Sequence, residues 1–463
     1  MYNRVLTLLF LLHLFTCSLL TAQEEVNNPH KIALGTEDSR EKVDIYNDMA
    51  RHFRDREPEL AFFYVDTAVE LAENMNYAEG EADAYRNRGY AYIHIGNPEE
   101  GLNWYEAARN IYDSLSIDQK LASSLVDIGV VKRKTGDYDL ASEYFYQALD
   151  IAEKEKNSTT LLSRIHNNIG YLLKIEGKYA EALEHFLESL DYAQKIGDKK
   201  TIASRLNNIG EIHDIHIGDY VKATKYYQEA LDIREELQDL RGICISYRNL
   251  GSMERRRQNY EKAIAYLTNA KTLADSIQYN TLIASSEYQI AYLLNEQEQY
   301  GEAMPFVKHA IQLQEESNNY MGHLFSLILA GEIHQALEDH DASFKYGLKA
   351  YQLAENTNVP EARGEAAFLL AECYAIKKRY KQAYEYYLIH QDVIETRTNE
   401  LNIAKTATIE QTRLYEQKEE ERKERQRFYL ISAIFALFIL ALIISYRRNE
   451  NRKKFNRELI QNT

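Results

Sequence analysis

Proline is scarce in this chain, with five among 463 residues, and no low-complexity tract interrupts it. A string of domains on Pro-rich linkers is therefore excluded. Cysteine is nearly absent too: Cys17, Cys244 and Cys373. Cys17 lies in an N-terminal leader. The other two fall about three repeats apart, too far for a bridge, and both read as buried small residues. No Gly-rich phosphate loop, nucleophile elbow or zinc-ligand spacing occurs, which removes the enzyme classes that depend on them. Positive charge is short as well. The net charge is −16, although Arg447, Arg448, Arg452, Lys453, Lys454 and Arg457 crowd the C-terminus. The stretch before that tail is more acidic still and repels nucleic acid.

What the chain has instead is a beat. Gly89, Gly129, Gly170, Gly210, Gly251, Ala291, Gly331 and Ala371 recur every 40 or 41 residues, and Met49 extends the series backwards. A second and a third small residue follow most of them, as in Ala182 and Ser189 or Ala263 and Ala270. Ala223 and Ala230 obey the rule with one inserted residue. Such a period marks a solenoid, which grows in one dimension without a single core. Within each unit the apolar period is helical and splits into two helices. Turn signals stand between them at Gly96-Asn97-Pro98, Gly136-Asp137, Gly177-Lys178 and Gly218-Asp219. Pro58 and Pro98 suit the first turn of a second helix, where the missing N–H costs nothing. The small residues let paired helices approach, with Tyr105, Phe145, Phe186, Tyr227 and Leu267 filling the space beside them.

The segments Ile169-Gly170 through Gly177-Lys178-Tyr179 to Ala182, and Leu250-Gly251 through Tyr260 to Ala263, resemble the tetratricopeptide repeat signature. The resemblance covers residues 40–395, about nine units. Units near forty residues resemble the subclass seen in kinesin light chains and bacterial peptide-responsive regulators. The fold so implied is all-α: a right-handed superhelical solenoid of helix-turn-helix repeats. Departures fall towards the ends. Met49 takes the Gly slot, Gly347 stands where an aromatic belongs, and His390 holds the last small slot.

Two residues before each small slot stand Asn47, Asn87, Asp127, Asn168, Asn208, Asn249 and Gln289, and then Leu329 and Leu369. In peptide-binding members of the family this face of the first helix lines a concave groove. An amide there can donate to a peptide carbonyl and accept from a peptide N–H, holding an extended chain without reading its sequence. Arg86, Asn167, Asn207, Arg248 and Tyr288 one step earlier, and Tyr90, Tyr171 and Tyr292 after the slot, would add selectivity. The competing reading is that the amides bond to adjacent helices and tie units together. The row's failure at Leu329 and Leu369 puts the end of the groove near Gln289 and assigns the last two units to the hand-over towards the C-terminal helix.

No metal or cofactor site is expected. Glu211, His213 and His216 would share a helix face. Yet His213 stands where other units place core residues such as Tyr92 and Tyr374.

The ends point to a membrane. Residues 1–22 read as a signal peptide, with Arg4, an apolar run and Ala22 at the cleavage point, and 23–39 as a linker. Residues 396–427 form a charged helical stalk whose weak coiled-coil pattern would pair two chains. Residues 428–446 are uncharged and would span about 28 Å as a helix, enough to cross the hydrocarbon core. The basic segment 447–463 marks the cytoplasmic side. This order resembles the sensor half of bacterial tetratricopeptide sensor kinases and regulators without an output domain. The expectation is a non-enzymatic, single-pass inner-membrane protein with a periplasmic solenoid. It would bind a peptide or protein outside the cytoplasm and signal through a separate cytoplasmic kinase or regulator. The alternatives are a non-signalling envelope scaffold and a truncated sensor kinase or transcriptional regulator.

Overall fold

The computed structural model describes residues 39–395 apart from Asp55, Arg56, Lys156, Asn318 and Asn358, together with the isolated positions Gln417 and Arg427. The expected signal peptide, most of the expected linker, the expected stalk apart from Gln417 and Arg427, the expected membrane segment and the basic tail lie outside the described residues. Among the described residues no helix is long and apolar enough to cross a membrane.

The described chain is helical throughout, with no strand. The first helices of the units are α1 (Arg40–Phe53), α3 (Ala78–His94), α5 (Asp118–Lys134), α7 (Thr159–Ile175), α9 (Lys199–Glu211), α11 (Leu240–Arg256), α13 (Asn280–Glu296), α15 (Tyr320–Ala336) and α17 (Pro360–Ile376). The second helices are α2 (Pro58–Asn74), α4 (Pro98–Ser114), α6 (Tyr138–Lys154), α8 (Tyr179–Ile196), α10 (Tyr220–Glu236), α12 (Tyr260–Ser276), α14 (Tyr300–Glu316) and α16 (His340–Thr357). The ninth second helix, α18, covers 380–395. Pro58 and Pro98 open α2 and α4, as the turn pattern requires.

The backbone counts in twenties. A left-handed residue ends helix after helix, at Asn76, Gly96, Ser116, Gly136, Gly177, Gly197, Gly218, Gln238, Gln258 and onward. There the chain closes in a Schellman-type turn, for instance Asn97 N–H to the Tyr92 carbonyl at 2.9 Å. The turn after a first helix and the turn after a second helix share this form.

Two insertions disturb the count. One lies in the loop between α6 and α7. The other follows Gly210, where α9 runs into a π-helical turn, Ile212–Ile217. The closing bond there reaches from Asp219 N–H to the His213 carbonyl, one residue further than its counterparts. A widened turn is how a helix takes up an extra residue without breaking. Asp214 in this turn is buried, and Arg256 of the next unit donates to it from Nε at 2.9 Å.

Packing explains the glycines. A Cβ on Gly129 would lie 2.6 Å from the Phe145 ring, and one on Gly170 or Gly210 would lie 2.8 Å from Phe186 or Tyr227. In units two to six the second helix thus lays one large, buried side chain on the bare backbone of its own first helix. Unit eight departs from this. Gly347 replaces the aromatic, and Leu369 of unit nine fills the gap. Its side chain presses on the bare backbone of Gly331 and lies 3.2 Å from where a Cβ on Gly347 would stand. Unit seven carries the smaller Val307 in that slot, and Leu329 of unit eight joins its core cluster. The two leucines that interrupt the polar row are therefore core residues, 1% and 2% exposed. Packing accounts for both; the expected hand-over to the stalk involves residues outside those described.

Candidate functional site: the inner face of the solenoid

First helices of neighbouring units touch one another along much of the array, whereas second helices are kept apart. The first helices therefore form the inner, concave layer. The polar row lies along that layer, and its members meet across unit boundaries.

Asn47 donates from Nδ2 to the Gly80 carbonyl at 2.9 Å, and Asn87 donates to the Asn47 carbonyl at 3.0 Å. Asn208 donates to Asn167 Oδ1 at 2.9 Å and accepts from the Tyr171 hydroxyl at 2.8 Å. Asn249 donates to Asn207 Oδ1 at 2.8 Å and accepts from Arg248 Nη2 at 3.1 Å. Asn168 donates at 2.9 Å to the Arg164 carbonyl of its own helix. The row is thus largely engaged in joining units, and its buried amides are satisfied by one another. Gln289 differs: its buried Oε1 has no hydrogen-bond partner among the described residues.

Asp127, the one acid in the row, sits between two arginines. Arg86 donates from Nε at 2.5 Å and Arg164 from Nη1 at 3.2 Å. Burial pushes the Asp127 carboxyl up, but the two guanidiniums hold it below the usual carboxylate range. The cluster keeps one net positive charge, with the Arg86 and Arg164 side chains still 30% and 35% exposed.

Sequence reasoning missed a further set of cations. Arg54 lies over the Tyr90 ring at 3.9 Å, Arg133 over Tyr171 at 5.5 Å and Arg255 over Tyr292 at 4.3 Å. In each case a cation near the end of one first helix covers the tyrosine just after the small slot of the next. The buried Nε groups of Arg54, Arg133, Arg205 and Arg255 have no hydrogen-bond partner among the described residues. Burial lowers the pKa of Arg133, Arg164 and Arg248, and takes that of Arg205 down to about 10. Arg255 has a counter-ion in Glu296 and Arg164 in Asp127, whereas Arg133, Arg205 and Arg248 have no ion pair among the described residues. The signal was present in the sequence, four or five residues after the slot in units one, three and six.

The far end reverses sign. Limited solvation and the neighbouring Glu365 and Glu372 push the Glu332 carboxyl up to about 7. Tyr288 and Tyr292, 6.0 Å apart and edge to face, stand between the two regions.

The Glu211, His213 and His216 set does not converge. Glu211 accepts from Lys174 at 2.9 Å, His213 is buried and stacks on Tyr226, and His216 stacks on Tyr179. Sequence spacing gives no hint of the metal-capable cluster that does form. It consists of His166, His185 and Glu188.

The paired helices, the left-handed turns and the small-against-large slots are those of a known repeat, and the tetratricopeptide repeat profile matches residues 80–154, 161–236 and 242–316. The chain is a tetratricopeptide-repeat protein. No curated protein matches it in sequence. Among solved structures it is similar to a Rap protein complexed with competence and sporulation factor. That match has 14% identity and a TM-score of 0.59, over 78% of this chain and 99% of that one. It is similar also to the apo form of the quorum sensor NprR from B. thuringiensis. There the identity is 14% and the TM-score 0.52, over 76% of this chain and 99% of that one. At such identities the likeness is one of fold.

Proposed function

We propose that the inner face of units two to seven binds an extended peptide, or a peptide-like segment of a protein partner, that carries acidic groups. One observation supports this above the rest: the concave layer carries a row of arginines, of which Arg164 and Arg248 are desolvated and Arg54, Arg133 and Arg205 keep buried Nε groups without an acceptor among the described residues. A buried donor without an acceptor costs about 1–3 kcal/mol, which an incoming carboxylate or peptide carbonyl recovers. The amides act less as ligand-holding groups than as the joints that set the curvature. NprR is a quorum sensor, and the Rap protein was solved with a competence and sporulation factor; both facts concern other proteins, and both agree with this reading.

In this reading the groove lies outside the cytoplasm, on a chain anchored through residues 428–446, with occupancy passed through the stalk to a separate cytoplasmic kinase or regulator. The row of carboxylates in units eight and nine would orient the ligand, its acidic part towards the arginines.

Selection of a displayed peptide library on the full-length chain tests the groove. Acidic sequences should be enriched, and Arg164→Ala with Arg248→Ala should abolish the enrichment while the thermal midpoint moves little. Unchanged enrichment in that variant would exclude the groove. Replacing Arg447–Thr463 by a neutral linker separates sensor from scaffold. A sensor loses its response, whereas a scaffold keeps its assembly.

A further inference from the structure

The geometry points to a divalent transition-metal site in unit four, built from His166 Nδ1, His185 Nδ1 and a Glu188 carboxylate oxygen, with zinc as the fitting ion. His166 lies on α7. His185 and Glu188 lie three residues apart on α8 and so share a face. His166 Nδ1 is 3.0 Å from His185 Nδ1 and 2.8 Å from Glu188 Oε2. The three donor atoms lie within 4.8 Å of one another. Zinc takes nitrogen and oxygen ligands at about 2.0–2.2 Å, so the edges of its tetrahedron are about 3.3 Å. Opening this triangle by a few tenths of an ångström admits the ion. Glu188 is half exposed, which leaves a water-accessible fourth position.

The other units show what the site would hold if packing alone decided. Fifteen or sixteen residues after each small slot stand Trp104, Tyr144, Tyr226, Tyr266, Phe306 and Tyr346. Four residues before the slot stand Tyr85, Leu125, Leu206, Tyr247, Glu287 and Leu327. The pairs Tyr85–Trp104 and Tyr247–Tyr266 meet at 5.0 and 6.0 Å, as His166 and His185 do at 5.1 Å. Unit four thus uses two imidazoles where units two and six make an aromatic contact and units three, five and eight set a leucine against a tyrosine, and it adds a carboxylate within reach. A single hydrogen on His166 Nδ1 would have to serve both His185 Nδ1 and Glu188 Oε2, so the metal-free arrangement brings three lone-pair atoms round one proton. A metal ion accepts from all three.

Occupancy would pin α7 to α8 at the middle of the array. The test uses the full-length chain, stripped with chelator and titrated with Zn²⁺ alone. One ion should bind per chain and raise the thermal midpoint. Co²⁺ in its place should give visible d–d absorption. His185→Tyr installs the residue that units three, five, six and eight carry there, so it should fold and lose both the binding and the absorption. Glu188→Gln, at an exposed position, should weaken binding at least tenfold. Failure of the wild-type chain to bind Zn²⁺ overturns the assignment. So does equal binding by a folded His185→Tyr variant.

Discussion

Units two to six and units eight and nine share one backbone and differ in what their inner helices carry. In the middle, an aromatic or leucine from the second helix fills the space over the glycine, and the inner position two residues earlier is free to be polar. In unit eight that filler is missing, Leu369 of the ninth first helix replaces it, and at Leu329 and Leu369 the polar row stops. The inner charge changes with it, from under-neutralised arginines to crowded carboxylates. The same fold tolerates two divisions of labour. Either the second helix packs and the first helix is free to present polar groups, or the first helix does the packing and the polar groups fall just after the slot.

That comparison can be broken, most strongly at the fillers. Phe186→Ala should cost about 3–5 kcal/mol, seen as lost hydrogen-exchange protection in units four and five, because a large cavity opens against bare backbone. Leu369→Ala should cost about 2–5 kcal/mol, localised to units eight and nine. If Leu369 stands in for the missing aromatic, Gly347→Phe with Leu369→Asn should be more stable than Leu369→Asn alone. Equal stabilities would break the argument.

Asn208→Ala removes a donor to Asn167 and an acceptor for Tyr171, so about 1–3 kcal/mol should be lost, again locally. Smaller still is Glu332→Gln. The folded-state pKa of about 7 lies above the ordinary 4.5, so the folded protein holds an extra proton between those values. Wild-type stability then falls as pH rises through that window. The variant should therefore melt above wild type at pH 8 and level with it at pH 4. The smallest effect is expected at the turns. Gln258 sits at φ 62°, a conformation that glycine adopts freely. Gln258→Gly should gain at most about 1 kcal/mol in urea unfolding.

Much of this architecture was legible because sterics leave marks on residue type. Gly170 opposite Phe186, and Pro98 opening α4, are positions where few side chains fit. The twenty-residue backbone count was hidden, since its left-handed position accepts Gln258 or Glu298 as well as Gly96. The amide row was found by spacing, but its partners were not. Whether Asn208 meets a ligand or Asn167 depends on how two helices forty residues apart are set against each other. Leu369 was legible as an interruption and illegible as a filler, because the gap it fills lies in the previous unit. His166 and His185 were overlooked for a related reason: nineteen residues apart on different helices, they have no motif spacing, and only alignment of the units against one another exposes them.

The π-helical turn at Ile212–Ile217 carries a consequence for how such a chain changes over time. One added residue rotates everything after it by about 100° around the helix axis. In a chain of identical periods that is a phase error, and it would travel to the last unit. Here it is absorbed within six residues, before α10 begins. At this point the array behaves like a crystal row at a dislocation, in step on both sides of the fault. Whole units can be gained or lost without penalty to phase, while fractional changes survive where a loop or a turn of this kind takes up the slip.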